Sequence, residues 1–267
     1  MKIGIIGIGN MGSAIIGGML QAEIARPEDI TAADKALANL ERAQRELGIH
    51  TTADNREAAA ADVLFLAVKP NVLYSVIEEI RDYVAGNTLV ISIAAGRTIG
   101  QIEAAFGKSV KLIRVMPNTP ALVGEGMSAL SLNAEMEKPE NREDVELALR
   151  IFNSFGKAEL VPESMMDAVV GVSGSAPAYV FLFLEAMADA AVQAGMPRAQ
   201  AYTFAGQAVL GSAKMLLETG KHPGELKDMV CSPGGTTIDA VAVLEERGLR
   251  GAVMEAVRAC VEKSKML

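Results

Sequence analysis

The feature that most constrains this chain is its opening stretch, an apolar run that breaks into three glycines, Gly7-Ile-Gly-Asn-Met-Gly12, spaced G-x-G-x-x-G. Ile3, Ile5, Ile6 and Ile8 are β-branched and apolar on both faces of an extended chain, as a central parallel strand requires. Gly7 can make the tight turn out of such a strand, Gly9 leaves room for a pyrophosphate against the backbone, and Gly12 lets the next helix pack closely. That helix is signalled by Ala14, Ile15, Met19 and Leu20, and its free N–H groups and dipole would hold phosphates. Glycines at this spacing also occur as plain turns, but the strand before them and the helix after them predict a dinucleotide site.

The same alternation continues. Asp29 to Asp34 reads as a second strand ending in an acid 22 residues past Gly12, the position that meets the ribose in such folds. Asp34 equally reads as a helix N-cap before Leu37, Leu40, Ala43 and Leu47, with Gly48 as the stop, and both roles can hold at once. Strands follow at 49–52, 62–68, 89–93, 110–116, 126–132 and 157–161, interleaved with a short helix after Asn55 and with helices at 71–84, 98–106 and 142–155. This pattern predicts a doubly wound, mostly parallel α/β sheet of the Rossmann kind over 1–161. Ligands bind beyond the carboxyl ends of such strands, so Ala67, Val68, Lys69 and Pro70 should lie near a cofactor, although a loop lysine alone is usually only solvated. Met116 to Ala121 is a two-proline loop, rigid by composition, at another strand end.

From about Pro162 only helical periods remain, at 165–194, 198–218, 224–230, 238–247 and 251–263, so 162–267 is expected to be an all-α domain. Within it, Ala168 to Leu184 carries no charge over 17 residues. It is short for a membrane span, holds Gly171, Gly174, Ser175 and Pro177, and runs into Glu185 and Asp189, so it reads as a buried helix. Being apolar on every side, it should also need a second subunit to cover part of it.

Charge and composition narrow the function. Twenty-five Lys plus Arg against 33 Asp plus Glu give a net charge of −8, which argues against nucleic acid as a partner. Cys231 and Cys260 lack metal-type spacing, and with only His50 and His222 no metal site is expected. A reducing, cytoplasmic setting fits, and the first residues lack the pattern of a signal peptide.

A second site-like stretch is Cys231-Ser-Pro-Gly-Gly-Thr-Thr237, directly before the helical pattern Ile238, Val241, Leu244. Consecutive N–H groups from Gly234 to Thr237 could form an anion nest suited to a carboxylate or a phosphate. The plain alternative is a capped helix with Thr236 or Thr237 as N-cap.

Taken together, the motifs resemble those of the pyrroline-5-carboxylate reductases across essentially the full length. The matching stretches are Gly7 to Gly12, Ala67 to Pro70, Ser92 to Gly96, Arg114 to Pro120, Gly171 to Tyr179 and Asp228 to Thr237, the last being the most specific. The resemblance implies reduction of the cyclic imine 1-pyrroline-5-carboxylate to proline by hydride from NADPH or NADH, in a homodimer that can assemble further. It places cofactor contacts on Ile6, Gly7, Ile8, Gly9, Asn10, Met11 and Gly12, on Asp34 and Asn55, on Ala67, Val68, Lys69 and Pro70, and on Ala94, Ala95 and Gly96. It places the substrate carboxylate on Ser232, Gly234, Gly235, Thr236 and Thr237, with the Thr237 hydroxyl assisting the imine nitrogen.

The chemistry agrees. A protonated imine needs an anion nest for its carboxylate more than a dedicated base, which fits a chain poor in histidine and cysteine. Rival readings are a β-hydroxyacid dehydrogenase, for which Lys214 and Lys227 would be acid candidates, and a non-catalytic nucleotide sensor. On cofactor choice, Asp34 puts a carboxylate where a 2′-phosphate would sit, while Lys35 and Arg56 could offset it. Use of both cofactors is therefore expected, with Asp34→Ser shifting preference toward NADPH.

Overall fold

A computed structural model of the chain describes residues 1–266. Met1–Gly174 together with the chain from Val261 forms one compact unit, and Ser175–Cys260 forms a second.

The first unit is built on eight strands: β1 (Ile3–Ile6), β2 (Ile30–Ala33), β3 (His50–Thr52), β4 (Val63–Leu66), β5 (Leu89–Ser92), β6 (Lys111–Met116), β7 (Gly126–Leu132) and β8 (Gly156–Leu160). They form one sheet in the order β3-β2-β1-β4-β5-β6-β7-β8. Every neighbouring pair is parallel except β6 and β7, which run antiparallel. The first six strands thus have the doubly wound 3-2-1-4-5-6 order, with a switch point between β1 and β4.

Helices α1 (Asn10–Gln21), α2 (Leu37–Leu47), α3 (Asn55–Ala59), α4 (Leu73–Ile80), α5 (Ile99–Phe106) and α6 (Arg142–Asn153) cover both faces. Successive strand residues point to opposite faces, so each strand feeds two cores. Ile3, Ile5, Val63 and Phe65 join Ile15, Ile16 and Met19 of α1, Leu40 and Ala43 of α2, and Ala148, Ile151 and Phe152 of α6. Ile6, Leu64 and Leu66 join α3, α4 and α5 through Ala58, Leu73, Ile77 and Ile102. Phe152 anchors the first core, with ring centroids 6.3 Å from Phe65 and 5.5 Å, edge-on, from Phe155. Each large side chain buried in this way is worth about 1.5–3 kcal/mol in removed apolar surface.

The last strand ends at Leu160, but the compact unit continues through Gly174. Glu163 secures the continuation: its Oε1 accepts the Ile99 N–H at the start of α5 at 2.7 Å and the guanidinium of buried Arg114 at 2.8 Å. The end of the chain returns to the same unit, where the buried Ser264 Oγ donates to Asp167 Oδ1 at 2.7 Å.

The continuous helix expected over 165–194 is divided. α7 (Met166–Val169) passes into a wider π-helical turn over Val170–Gly174, and α8 (Ala176–Gln193) starts afresh. Ser173 Oγ donates back to the Val169 carbonyl at 3.2 Å, two glycines loosen the turn, and Pro177, which has no N–H to give, suits the first turn of a new helix. The expectation of a buried helix also needs correction for the single chain. Phe181 and Leu182 of α8 are 65% and 69% exposed, and Ala188 alone of its residues is buried. By length and composition, Glu163–Gln193 is apolar enough to cross a membrane, with only 6% of its most apolar window buried. The unit Ser175–Cys260 adds α9 (Arg198–Thr219), which packs on α8, then α10 (Pro223–Val230) and α11 (Thr236–Glu246), while α12 (Leu249–Ser264) leads out of it.

Candidate active site

Ile6 pairs with Leu66, so the turns after β1 and β4 leave the sheet side by side at the switch point. The three glycines serve three distinct purposes there. Gly7 lies at φ +102°, where a Cβ would come within 2.6 Å of the Ala67 carbonyl oxygen. A Cβ on Gly12 would collide with the Gly7 carbonyl, so α1 can sit on the turn only without one. At Gly9 a Cβ would meet open space, the direction from which a ligand can approach the backbone. Gly9 is also the N-cap of α1 with no side chain capping it, so the first-turn N–H groups face outward as an anion site.

A cleft of about 320 Å³ opens at this point, lined by Ile6, Gly7, Gly9, Ala33, Asp34, Lys35, Asn39, Asn55, Ala67, Val68, Lys69, Val72 and Val76. The structure therefore brings Asp34, Asn55 and the 67–69 turn to the glycine loop. Ala94, Ala95 and Gly96 follow β5 at the same edge, where the Ile93 N–H reaches the Leu66 carbonyl at 3.1 Å. Arg97 ties the two turns together, its Nε donating to the Pro70 carbonyl at 3.3 Å. Ile8 is buried in the core, so only its backbone is offered to a ligand; Met11 packs on that core, and Asn10 is exposed at the start of α1.

Two of the polar side chains around the cleft, Asn55 and Asp34, are already engaged. The buried amide of Asn55 donates to Glu79 Oε2 at 2.8 Å. Asp34 accepts from the Ile8 N–H at 2.8 Å and Asn39 Nδ2 at 3.1 Å on one oxygen, and from the Ala36 N–H at 2.8 Å on the other. It is thus not the N-cap of α2, which is Ala36, but it shapes the turn leading there. Arg56, expected to offset this charge, is paired elsewhere: Nε and Nη2 grip Asp54 at 2.8 and 2.7 Å, and Asp54 raises the guanidinium pKa above its usual range. Asn39, Val72 and Val76 are lining residues that the sequence reading missed, whereas Lys35 was read as a charge beside Asp34. Val72 and Val76 carried a usable signal, an apolar i, i+4 pair just after the strand-end turn.

The second stretch lies in the helical unit. Gly234 at φ +66° and a Gly235 N–H to Ser232 carbonyl bond of 3.0 Å fold it into a turn that delivers the chain into α11. Gly235, not a threonine, is the N-cap, and no side chain caps the helix. The capped-helix alternative with Thr236 or Thr237 in that role is therefore not what forms. Thr236 and Thr237 occupy the first turn, leaving its N–H groups uncapped. A Cβ on Gly235 would collide with Ser232 Oγ. In the same unit, burial and the Cys260 thiol push the Tyr179 phenol above its usual pKa, while Ser175 Oγ lies 3.0 Å from Cys260 Sγ. Lys214 and Lys227, the acid candidates of the rival reading, lie on helix surfaces beside Glu218 and Asp228, at 3.6 and 2.5 Å.

A 3-2-1-4-5-6 sheet with an uncapped glycine loop at its switch point defines a dinucleotide-binding unit, and residues 2–96 match the family described as NADP oxidoreductase coenzyme F420-dependent. The class is that of the nicotinamide-dependent oxidoreductases. Residues 163–267 match the family described as pyrroline-5-carboxylate reductase dimerisation. The pyrroline-5-carboxylate reductase of Escherichia coli (strain K12) is 54% identical over 100% of this chain and 98% of its own length. Among solved structures, that of a pyrroline-5-carboxylate reductase from Coxiella burnetii superimposes with a TM-score of 0.91 at 38% identity, covering 99% of this chain and 97% of that one. The Plasmodium falciparum pyrroline carboxylate reductase with NADP bound does so with a TM-score of 0.87 at 34% identity, covering 100% and 97%. The chain belongs to the pyrroline-5-carboxylate reductase family.

Proposed function

We propose a division of labour for this family's reaction, in which residues 1–161 bind the dinucleotide and 162–267 bind the substrate and form the dimer. The chain reduces 1-pyrroline-5-carboxylate to proline with NADPH or NADH. Bound in the cleft, the reduced nicotinamide supplies a hydride to the imine carbon, and one proton completes the amine. The glycine loop and the α1 N-terminus hold the pyrophosphate, Asp34 and Asn55 lie at the adenosine end, and Ala67 to Pro70 with Ala94 to Gly96 line the edge along which the dinucleotide extends. Ser232, Gly234, Gly235, Thr236 and Thr237 hold the substrate carboxylate and position the ring. Thr237 directs its hydroxyl at the imine nitrogen, a contact that strengthens as the nitrogen becomes an amine.

The observation that carries this reading is that α11 opens on a glycine with no side-chain cap, which leaves N–H groups and two threonine hydroxyls for a ligand. Thr237→Ala is expected to lower kcat and kcat/KM together by roughly ten- to a hundredfold, the loss of one hydrogen bond worth about 1.5–3 kcal/mol. Thr237→Ser should stay active and Thr237→Val should not, at similar melting temperatures. Gly235→Ala should raise KM for the imine while dinucleotide binding survives. Normal turnover by the Val variant would remove Thr237 from the mechanism.

The exposed apolar faces of α8 and α9 belong to the dimerisation region and are the surface a homodimer covers. We read the dimer as interleaved and able to assemble further, and the enzyme as cytoplasmic.

A further inference from the structure

We propose that Asp34 is a strut of the glycine loop rather than the selector between NADH and NADPH, and that Lys35 is the residue that admits a 2′-phosphate. An acid at the end of β2 selects NADH when its carboxylate is free to take the ribose hydroxyls and to repel a phosphate. Here the carboxylate is largely spent. Oδ2 holds both the Ile8 N–H and the Asn39 amide, and Oδ1 holds the Ala36 N–H, so at most one of about four acceptor positions is left. Ile8 is gripped at its carbonyl as well, since Arg42 Nη2 donates to it at 3.1 Å and to Ser13 Oγ at 3.3 Å. Asp34 and Arg42 thus clamp the central residue of the Gly7–Gly9 turn through both of its backbone polar groups, joining β1, the β2–α2 turn, α1 and α2.

Two exposed lysines line the cleft without an ion pair among the described residues, Lys35 and Lys69, and Lys35 is the one that directly follows Asp34 after β2. It lines the cleft beside Asp34 and Asn39, whereas Arg56 is committed to Asp54. A phosphate on the ribose would therefore meet a free ammonium next to a carboxylate whose charge is shared among three donors. That arrangement tolerates NADPH without losing NADH.

The inference rests on the dinucleotide occupying this cleft, and calorimetric titration of the full-length protein with NADP⁺ and with NAD⁺ separates the two claims. Lys35→Ala should weaken NADP⁺ at least fivefold, with NAD⁺ changed by less than that, and Lys35→Arg should restore NADP⁺; fivefold is about the net worth of one ordinary hydrogen bond and so a floor for a charge-assisted one. Asp34→Asn should weaken both dinucleotides and lower the melting temperature, with the affinity ratio moving less than about fivefold. A ratio that moves fivefold or more toward NADP⁺ in Asp34→Asn, or a loss of NADP⁺ below fivefold in Lys35→Ala, overturns the proposal. The Lys35 variants keep it open to refutation should Asp34→Asn fail to fold, because Lys35 is exposed and bears on no core. Wild-type protein that binds neither dinucleotide would overturn this inference and the placement of the cofactor together.

Discussion

The two compact units satisfy their apolar residues in opposite ways. In the sheet unit the central strands are closed on both faces by the same chain, and Ile3, Ile5, Phe65 and Leu66 have no exposure at all. In Ser175–Cys260, by contrast, only Ala188, Ala201 and Ala205 among the hydrophobic residues are buried, while Phe181, Leu182, Phe204 and Leu217 are all more than 60% exposed. Half of the sequence is hydrophobic, yet that figure hides two different solutions. One unit is finished by its own chain; the other leaves its large apolar residues exposed on the single chain, in a region that matches a dimerisation family.

Substitutions in each unit test this difference. The largest effect is expected for Phe181→Asp combined with Leu182→Asp, which places two charges on the exposed apolar face of α8, proposed above as the dimer surface. Light scattering at micromolar protein should then report monomer, and an unchanged dimer mass would show that α8 lies outside the interface. Next comes Phe152→Ala, which empties the ring cluster with Phe65 and Phe155 and should cost about 3–5 kcal/mol in denaturant unfolding. If the sheet unit is self-sufficient, that loss is independent of protein concentration. Smaller is Glu163→Gln, which leaves the buried Arg114 without its counter-charge. With Glu163 itself a third exposed, about 1–3 kcal/mol is expected from the same unfolding measurement. Smallest is Asp189→Asn, which breaks the exposed Arg198 pair of the helical unit and should shift stability by no more than about 0.5–1 kcal/mol. A larger shift would mean that this pair is covered in the assembled enzyme.

How far the sequence was legible follows the same divide. The apolar runs and the glycine spacing placed the strands within a residue or two, because a strand buried on both faces leaves an unbroken β-branched signature and a tight turn beside a ligand admits only glycine. Asp34 was read at the right spot, but its three hydrogen bonds depend on where Ile8, Ala36 and Asn39 converge, and no spacing reveals that. Arg56 was read alongside Lys35 as a counter-charge to Asp34, and Asp54, two residues away, holds it instead. In the second site the glycines and threonines were evident, whereas the choice of Gly235 over a threonine as N-cap follows from the left-handed Gly234 and the closeness of Ser232. The exposure of α8 was harder still. Hydropathy says that a helix will be covered, and it does not say by which molecule.

The return of Ser264 to Asp167 bears on how the chain is made. The two residues are 97 positions apart, so at about 5–20 residues per second a ribosome needs roughly 5–20 s after releasing Asp167 before its partner emerges. During that interval the nascent sheet can close around its own strands, while the helical insertion still lacks its second anchor.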